Sequence, residues 1–515
     1  MESTRKVRRV RRLEVALVLL VAAISFGATP GPTPAVRPNF VVVLADDLGF
    51  ADLGSYGSEI DTPNLDQLAE RGLRFTHFYT TPKCETTRRS LLTGLYFAAA
   101  PRNIARRNPR SKRRYVSAAE VLHDAGYATF AVGKWHLAGT PLEFGFDHYF
   151  GHLSGSTDSF AGNATYRLDA EPYAVPEAGF YATDAETDWA IRFVEEAHAT
   201  RKPFFLYLAY GAPHSPLQAP RADVEKYLER YAAGWEAVRA RRHERQVELG
   251  ITNDSWTQRA LPLGVLPWET LDAEQRALEV LRMAAYAGMV DRLDRNVGRL
   301  VDKLDSLGVR ENTVILFLSD NGPSRSQRKF DASKPPWEPG SFLTLDAGWA
   351  TASNTPFRGF KRDLFEGGIA SPLIVHWPAG IRKGGGLVTE VSHVVDIVPT
   401  LIDLAGVSHP SASRAASAKR LPLPPRGRSL VPAFTGGSLG ARSIYWHFSK
   451  HRAIRRGKWK LLSINGGKWR LYDLEADRSE TREVAWTPGG PKRELRKAWK
   501  RWARSAGVGK PKKSR

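Results

Sequence analysis

Oxygen-donor side chains follow two apolar runs that have the composition of buried parallel strands. Asp46 and Asp47 come directly after residues 40–45, and Asp320 and Asn321 follow residues 314–318. Adjacent carboxylates repel each other unless a cation lies between them, and such oxygens suit Ca²⁺ or Mg²⁺ and not Zn²⁺. Ligands of open α/β sheets bind at such strand ends. These stretches alone leave two interpretations open, a metal site and a plain acidic turn.

The only cysteine of the chain, Cys84, lies in the polar stretch CETTRRSLLTG at residues 84–94. A lone cysteine is usually a small core residue. Here charged and hydroxyl residues surround it, Arg88 lies four positions on, and the chain starts with an export-like segment. A free thiol in an exported protein is a liability unless it has a use or is modified. Spacing alone leaves a reactive or modified cysteine and a structural one equally open.

Two further strand-like runs end in basic or imidazole side chains. Lys134 and His136 follow residues 127–132, and His214 lies between two prolines after residues 204–209. Lysine and histidine beside a group of carboxylates can hold an anionic group, and His136 can also donate a proton. The alternatives are a chance loop for Lys134 and His136 and a core histidine for His214.

The apolar runs predict the fold class. Residues 40–45, 127–132, 204–209, 314–318 and 372–377 predict buried strands separated by helical segments, including an amphipathic helix at 284–304 and a helix beginning near Arg88. This alternation is typical of an α/β protein with a large mixed, mostly parallel sheet between helices. Shorter strand-like pieces at 443–447, 453–462 and 469–472 predict a small antiparallel sheet with a covering helix.

The domain boundaries follow from composition. A basic head and an apolar run at 15–26 predict a signal peptide at 1–28, either cleaved or kept as an anchor, since the run is shorter than the ~20 residues of a spanning helix. We expect a large α/β domain at 38–407 with a long helical insertion at about 221–281. A linker at 408–428, a small α+β subdomain at 429–490 and a basic tail at 491–515 follow.

Positive charge is concentrated in three places. The chain has a net charge of +21, with six basic residues in 1–14, seven in 102–114 and eleven in 491–515. Such runs form either solvated surface or binding sites for acidic polysaccharide, cell wall or anionic membrane. No helix-turn-helix, RNP or zinc-finger pattern accompanies them, so no nucleic-acid partner is expected. A single cysteine also excludes an internal disulfide framework.

The cysteine stretch resembles the signature of the type I sulfatases, Cys-x-Pro-Ser-Arg-x-x-Leu-x-Thr-Gly. The matching positions are Cys84, Arg88, Leu91, Thr93 and Gly94. Thr87 replaces the serine, and Thr86 replaces the proline, which bears on maturation of the cysteine. The remaining motifs recur in the order of that family: Asp46-Asp47, GKWH at 133–136, PHSP at 213–216, SDNG at 319–322, RGFK at 358–361 and EGG at 366–368. The insertion resembles the arylsulfatase branch of the alkaline phosphatase-like superfamily.

The resemblance implies roles for these positions. Asp46, Asp47, Asp320 and Asn321 would hold one Ca²⁺, rather than Mg²⁺, together with Cys84 matured to formylglycine by a separate formylglycine-generating enzyme. Arg88 would orient the formylglycine, and His136 would steady its hydroxyls. The groups expected to bind the remaining sulfate oxygens are Lys134, His214 and Lys361. Either His214 or Lys361 would protonate the leaving oxygen.

The implied activity is hydrolysis of sulfate esters, of a small aryl sulfate or of a sulfated polysaccharide, by an exported protein that is periplasmic or secreted. Two alternatives remain open. A phosphonate or phosphodiester hydrolase of the same superfamily would share the fold and the modified cysteine. An inactive polyanion-binding surface protein would result if Thr86 prevented maturation. The basic runs favour a sulfated polysaccharide over a phenol sulfate, and the sequence does not indicate an oligomeric state.

Overall fold

A computed structural model describes residues 37–99, 115–256, 258, 260–325, 333–412, 422–485 and 487–508. The predicted signal peptide, the basic run at 102–114, residues 413–421 of the predicted linker and the last residues of the basic tail lie outside this part of the chain. Residues 38–515 group into one unit by their contacts. No helix within the described ranges is both long and apolar enough to cross a membrane.

The described chain contains one large sheet, a small two-stranded sheet and a four-stranded sheet. The large sheet has the strand order β11-β2-β10-β9-β1-β8-β4-β5-β6-β7. The strands are β1 (Asn39–Ala45), β2 (Leu73–Phe75), β3 (Phe78–Tyr79), β4 (Ala128–Gly133), β5 (His148–His152), β6 (Tyr166–Leu168), β7 (Glu171–Pro172), β8 (Phe204–Ala209), β9 (Thr313–Ser319), β10 (Leu373–His376), β11 (Gly386–Val388), β12 (Ser392–His393), β13 (Ser443–Phe448), β14 (His451–Arg456), β15 (Trp459–Ser463) and β16 (Arg470–Asp473).

Helices cover both faces of the large sheet. They are α1 (Pro63–Arg71), α2 (Cys84–Thr93), α3 (Ala118–Asp124), α4 (Ala182–Ala199), α5 (Arg221–Glu225), α6 (Gly234–Glu248), α7 (Ala273–Ser306), α8 (Ala347–Ser353), α9 (Glu366–Ile369), α10 (Ile397–Leu404), α11 (Val431–Phe434) and α12 (Pro491–Ser505). Single 3₁₀ turns lie at Gly54–Tyr56, Leu142–Phe144, Glu229–Tyr231, Trp268–Thr270, Arg310–Asn312, Val394–Asp396 and Pro410–Ala412.

The centre of the large sheet is parallel and buried on both faces. Strand β1 pairs in parallel with β8 and with β9, and β4 pairs in parallel with β8. Val41 and Val43 belong to the core on one face of β1, whereas Phe40 and Val42 belong to the core on the other. A strand covered on both faces needs apolar residues at every position, which is why β1 reads as an unbroken apolar run. The α/β class with a mixed, mostly parallel sheet is confirmed.

Strand β10 was predicted, at 372–377, whereas its antiparallel direction and the strands at the two edges of the sheet were not. Strand β10 runs antiparallel to β9 and to β2, and β11 lies beyond β2. On the other side β5, β6 and β7 extend the sheet from β4. The strands β2, β11, β5, β6 and β7 are short, and their sequences lack the long apolar runs of the central strands.

The predicted helical insertion at 221–281 is only partly helical. Helices α5 and α6 occupy its first half, and residues 249–267 contain no helix among those described. Helix α7 begins at Ala273, eleven residues before the amphipathic helix predicted at 284–304. Asp272 caps this start, because its carboxylate accepts a hydrogen bond from the backbone N–H of Gln275.

The four-stranded sheet is antiparallel, as predicted, in the order β13-β14-β15-β16. The piece predicted as one strand at 453–462 is a hairpin, β14 and β15, with Gly457 at a φ of 55° in the turn. The covering helix is α12, which lies in the segment predicted as a tail. Leu495, Ala498 and Trp499 recur at helical spacing and are buried against the sheet. This apolar face was not recognised in the sequence because many charged residues lie between its members.

A buried ionic cluster fastens the four-stranded sheet to the large one. The ammonium group of Lys460 on β15 lies 2.9 Å from a carboxylate oxygen of Glu366 and 2.9 Å from one of Glu480. Arg478 also contacts Glu366, at 2.8 Å. Burial opposes the charge of Glu366, but Lys460 and Arg478 hold the pKa of its carboxyl at about 2. Helix α9, which begins at Glu366, is thereby held against the four-stranded sheet.

Candidate active site

The predicted site residues meet at the carboxyl ends of the central parallel strands. Asp46 and Asp47 follow β1, Lys134 follows β4, and Asp320 follows β9. Because these strands are neighbours in register, their last residues form one edge of the sheet. His214 lies beyond β8 at the same edge. Residues up to 314 positions apart in the chain, Asp47 and Lys361, therefore share one site.

Cys84 is the first residue of helix α2 and points into this edge. The structure differs here from the predicted helix start near Arg88, because the helix begins four residues earlier. It ends at Thr93 and is capped by Gly94, whose φ is 65°. The sulfur of Cys84 and carboxylate oxygens of Asp46 and Asp320 all lie within 4.8 Å of one another. Burial raises the pKa of the thiol, so the unmodified side chain stays protonated at neutral pH.

Arg88, one turn further along α2, lies between two of the carboxylates. Its Nη2 is 3.3 Å from Oδ2 of Asp46 and 3.2 Å from Oδ2 of Asp320. Its Nη1 donates to the backbone carbonyl of Lys134 at 2.6 Å. All three charged side chains are fully buried. A guanidinium in this position both neutralises the carboxylates and fixes the first turns of α2 against strand β4.

The pKa values of the two carboxyl groups that contact Arg88 are shifted in opposite directions. Burial works to raise the pKa of Asp46, but Lys134, whose ammonium group contacts its Oδ2, and then His214 hold that pKa well below its usual range. Burial, followed by the negative charge of Asp46, raises the pKa of Asp320 to about 8. A divalent cation bound among these carboxylates would replace the proton of Asp320.

The donor atoms fit a hard divalent cation. Oδ1 of Asp46 and Oδ1 of Asn321 are buried without a hydrogen-bond donor. The amide nitrogen of Asn321 donates to Asp47 Oδ1 at 2.7 Å, which leaves its carbonyl oxygen as a free ligand. Asp47 adopts a φ of 65°, a conformation that aspartate tolerates and that turns its carboxylate to the site. Carboxylate and amide oxygens without protein donors are the ligands that Ca²⁺ prefers.

Lys361 and His214 flank the exposed side of Asp47. The ammonium group of Lys361 lies 2.7 Å from Oδ1 of Asp47, and Nε2 of His214 lies 3.6 Å from Oδ2. Nδ1 of His214 donates to the backbone carbonyl of Ser215 at 2.6 Å, so the neutral ring has no proton on Nε2. Burial and then the neighbouring Lys134 lower the pKa of His214 to about 4. Burial works against the charge of Lys361, but Asp47 raises its pKa above the usual value.

His136 lines the same cleft as Cys84 and Lys361. It adopts a φ of 54°, and its Nδ1 is buried without a hydrogen-bond partner. Burial and the positive charge of Lys134 lower the pKa of His136 to about 2, so its ring is neutral. Gly155 packs against the ring, and a Cβ at that position would lie 2.8 Å from Nε2.

Thr86, which replaces the signature proline, is built into the first turn of α2. Its backbone N–H and its hydroxyl both donate to the carbonyl of Lys83, at 3.0 and 2.7 Å. Thr87 occupies the serine position and accepts a hydrogen bond from the backbone N–H of Thr81 at 3.0 Å. The hydroxyl of Thr86 therefore supplies local contacts that a proline cannot make.

The site opens into a cleft of about 910 Å³. Cys84, Asp47, His136, His214 and Lys361 lie on its floor. The walls of this cleft were not predicted from the sequence, and they are formed by Lys83, Gly155, Ser156, Ser215, Ser324, Arg325, Phe342, Thr344, Arg362, Asp363, His451, Ile464 and Asn465. The last three come from the four-stranded sheet, and only the packing of that sheet reveals that they reach the site.

Comparisons with known proteins give one family. The model described as Sulfatase matches residues 38–407, and the model described as N-sulphoglucosamine sulphohydrolase, C-terminal, matches residues 358–496. An uncharacterized sulfatase of Schizosaccharomyces pombe is 32% identical and aligns over 92% of this chain and 94% of its own. The arylsulfatase of Klebsiella aerogenes is 32% identical over 76% of this chain and 91% of its own.

A solved structure with a similar fold is Ps i-CgsB in complex with k-i-k-neocarrahexaose. It superposes with a TM-score of 0.66 at 26% identity, covering 91% of this chain and 93% of that chain. The similarity therefore spans both the large sheet and the four-stranded sheet.

Proposed function

The chain belongs to the sulfatase family and is a sulfuric ester hydrolase, and we propose that it acts through a formylglycine made from Cys84 together with one Ca²⁺ ion. The observation that carries this proposal is the meeting of Cys84, which lines the cleft, with Asp46 and Asp320, since the sulfur and one carboxylate oxygen of each aspartate all lie within 4.8 Å of one another. A buried thiol has no evident purpose among carboxylates, whereas a modified oxygen side chain in its place would complete a set of hard ligands.

The residues proposed to hold Ca²⁺ are Asp46, Asp47, Asp320, Asn321 and the matured Cys84. The unpartnered oxygens of Asp46 and Asn321 support this assignment. When bound, the ion would supply positive charge that favours ionisation of the nucleophilic hydroxyl and stabilises charge on a sulfate oxygen. It would also replace the proton that Asp320 otherwise carries up to about pH 8.

The side chains of α2 and of the loop after β4 prepare the nucleophile. Arg88 is held by two carboxylates and a backbone carbonyl, so it presents fixed positive charge beside residue 84. His136 is neutral, and its ring can accept or donate a hydrogen bond to a hydroxyl on residue 84 without adding charge. Lys134 and His214 would bind the sulfate oxygens, because both border the same carboxylates that the ion would neutralise.

Lys361 is the better candidate for the group that protonates the leaving oxygen. It carries a proton throughout the neutral range, because Asp47 raises its pKa. His214 has a pKa of about 4, and its single ring proton is on the nitrogen that faces Ser215. At neutral pH, Nε2 of His214 can accept a proton but has none to give.

The proposed substrates are sulfate esters of carbohydrates or of aryl alcohols, met outside the cytoplasm. A cleft of about 910 Å³ is near the upper end of small-molecule sites and exceeds what a phenol sulfate fills. The structural relative solved with an oligosaccharide supports a carbohydrate. Maturation requires a formylglycine-generating enzyme as a partner, which acts on Cys84 before it is buried in the fold.

The experiment that tests the function compares an aryl sulfate with aryl esters of phosphorus acids as substrates of the same protein. We expect protein produced with a formylglycine-generating enzyme and assayed with Ca²⁺ to hydrolyse 4-nitrophenyl sulfate with a kcat/KM at least 100-fold above that for an aryl phosphonate or bis(4-nitrophenyl) phosphate. The matched Cys84→Ser protein should turn over none of them, since serine leaves a stable sulfate ester. A preference for the phosphorus esters would replace sulfatase by phosphonate or phosphodiester hydrolase, and polyanion binding without turnover of any ester would indicate a binding protein.

A further inference from the structure

A second, strongly basic groove lies at the end of the four-stranded sheet. It has a volume of about 780 Å³, and its cationic lining comes from β14, from the loop and strand of β16, and from α12. The cationic and aromatic residues that line it are Arg452, Lys468, Trp469, Arg470, Lys492 and Arg496. None of them belongs to the active site described above.

Acidic residues do not neutralise this groove. Among the residues that line it, Glu483 is the only carboxylate, and it lies 4.0 Å from Arg470 and 3.8 Å from Lys492. Burial, followed by the nearby charge of Arg496, lowers the pKa of Arg452. Cations packed closely enough to disfavour one another gain from an anionic ligand.

Helix α12 extends the positive surface along its whole length. Its buried face, with Leu495 and Trp499, packs on the sheet, and its other face exposes six cations: Arg493, Arg496, Lys497, Lys500, Arg501 and Arg504. Glu494 is the one acidic residue of the helix. Because the apolar face is turned inward, the outer face offers charge without apolar groups for membrane insertion.

The groove and the catalytic cleft share their boundary. His451 lines the cleft and the next residue, Arg452, lines the groove, while Asn465 lines the cleft and Gly466 lines the groove. The two loops that form this boundary are tied together, because the N–H of Gly466 donates to Lys450 at 2.8 Å and Arg452 donates to Gly466 at 3.1 Å. The loop at residues 464–467 therefore lies between the cleft and the groove, with Ile464 and Asn465 lining the cleft and Gly466 and Gly467 lining the groove.

We propose that this groove and the outer face of α12 form a second, noncatalytic binding site for an anionic polysaccharide whose sulfated end occupies the catalytic cleft. The proposal rests on the proposed function, since it takes the cleft as the place where the sulfate ester is cleaved. The groove would bind sulfates or carboxylates on sugar units further along the chain, and the ring of Trp469 would contact a sugar face. Binding there would hold a long polymer to the enzyme between cleavages.

A polysaccharide fits the observations better than the other polyanions. A nucleic acid carries no sulfate ester, so it would have no reason to continue into the cleft. An anionic membrane is flat, whereas this site is a groove whose wall is shared with the active site. Both remain measurable competitors, and the test includes them.

The test removes positive charge from the groove. A control variant removes the same number of positive charges from the edge of the large sheet that is opposite to the active site. The groove variant combines Lys468→Gln, Arg470→Gln, Lys492→Gln and Arg496→Gln. The control variant combines Arg201→Gln, Lys202→Gln, Arg382→Gln and Lys383→Gln, four exposed cations that lie next to the amino end of β8 or beyond β10, away from the strand ends that carry the site. Both variants are made in the full chain, with and without Cys84→Ala.

In the Cys84→Ala background, fluorescent heparin serves as the polysaccharide probe. We expect the groove variant to bind it at least tenfold more weakly than the parent and with a shallower dependence on NaCl, and the control variant to bind within twofold. Equal binding by the groove variant and the parent would overturn the proposal. So would parent binding to phosphatidylserine vesicles or to a single-stranded oligonucleotide that is as tight as binding to heparin and equally sensitive to the groove variant.

In the active protein, hydrolysis of 4-nitrophenyl sulfate separates this proposal from the proposed function. Both variants should keep the kcat/KM of the parent within twofold, because neither touches the cleft. Long heparin should inhibit this hydrolysis at least tenfold less well in the groove variant, whereas a sulfated disaccharide should inhibit all proteins alike. Inhibition by long heparin that is unchanged in the groove variant would show that the groove and the cleft do not bind one chain. Absence of turnover in every protein would instead contradict the proposed function.

Discussion

Arg88 and Asp320 are in fully buried contact, with Nη2 of the arginine 3.2 Å from Oδ2 of the aspartate. The same nitrogen also contacts Asp46, so a single guanidinium balances two carboxylates at the centre of the proposed calcium site. Removal of one partner from a buried ionic group leaves uncompensated charge, which costs far more than the loss of a surface pair.

Replacement of Arg88 should therefore destabilise the fold as well as stop catalysis. We expect Arg88→Ala to lower the free energy of unfolding by about 3–5 kcal/mol in the presence of a chelator, because Asp46 and Asp320 then face each other without the guanidinium. Saturating Ca²⁺ should recover part of this loss. Urea unfolding of Arg88→Ala and of Arg382→Ala, an exposed control expected to change stability by under about 0.5 kcal/mol, measures it. Equal stability of the two variants would show that the buried pair is not needed.

Ca²⁺ should stabilise the protein through the same carboxylates. A ligand that binds only the folded state adds about 2.7 kcal/mol at a concentration 100 times its Kd. We expect the thermal midpoint of the wild type to rise on addition of Ca²⁺ and that of Asn321→Ala, which loses the free carbonyl oxygen, to rise much less. Mg²⁺ at the same concentration should have the smaller effect. A midpoint that does not respond to Ca²⁺ would contradict the proposed site.

The pH dependence of this stabilisation follows from Asp320. Its pKa is raised to about 8 in the ion-free site, so the folded protein keeps a proton there that the unfolded chain loses near the ordinary value of 3.8. The contribution of Asp320 to stability is therefore fully present below about pH 4 and declines as pH rises toward 8. Because Ca²⁺ must displace this proton, its affinity should increase between pH 6 and 8, by up to about tenfold per unit, and level off above. Calcium titrations at fixed ionic strength measure this, and an affinity that falls over the same interval would contradict the assignment.

Lys361 and His214 should differ in their response to the leaving group. If Lys361 donates the proton, we expect Lys361→Ala to lose about 10²–10⁴-fold in kcat/KM on a poorly leaving alkyl or sugar sulfate and much less on 4-nitrophenyl sulfate. His214→Ala should lose similar factors on both, because a neutral imidazole that binds a sulfate oxygen acts on every ester alike. The reverse pattern would make His214 the donor.

Replacement of Thr86 by proline should increase the maturation of Cys84 and decrease the stability of the fold. Thr86→Pro restores the proline of the signature but removes two hydrogen bonds to the carbonyl of Lys83. We expect a loss of about 1–2 kcal/mol in stability together with a higher fraction of aldehyde at residue 84, measured by peptide mass after production with the maturation enzyme. Thr86→Ser, which keeps both hydrogen bonds, is the control and should resemble the wild type in stability. An unchanged or lower aldehyde fraction in Thr86→Pro would contradict this.

Several of the proposed site residues were expected to lie together because they follow strand ends, and the family resemblance supplied the remaining residues and their proposed roles. An unbroken apolar run such as residues 40–45 marks a strand covered on both faces, and the polar residues after it then lie on the ligand-binding edge. The walls of the cleft gave no such signal. Arg325 and Asn465 line the cleft because of how distant segments of the chain pack together. Neither residue belongs to a periodic sequence pattern that would indicate this position. Trp499 shows a third case, in which an apolar face was present in the sequence but was hidden by the charged residues of α12.

The proposed role of Cys84 is tested most directly by the mass of the peptide that contains it. The measurement uses protein that was produced with a formylglycine-generating enzyme and that hydrolyses 4-nitrophenyl sulfate. The proposed function predicts that this peptide has lost its sulfur and gained an aldehyde, in a fraction that rises and falls with the specific activity. Active protein whose Cys84 is an unmodified thiol would contradict the proposed mechanism.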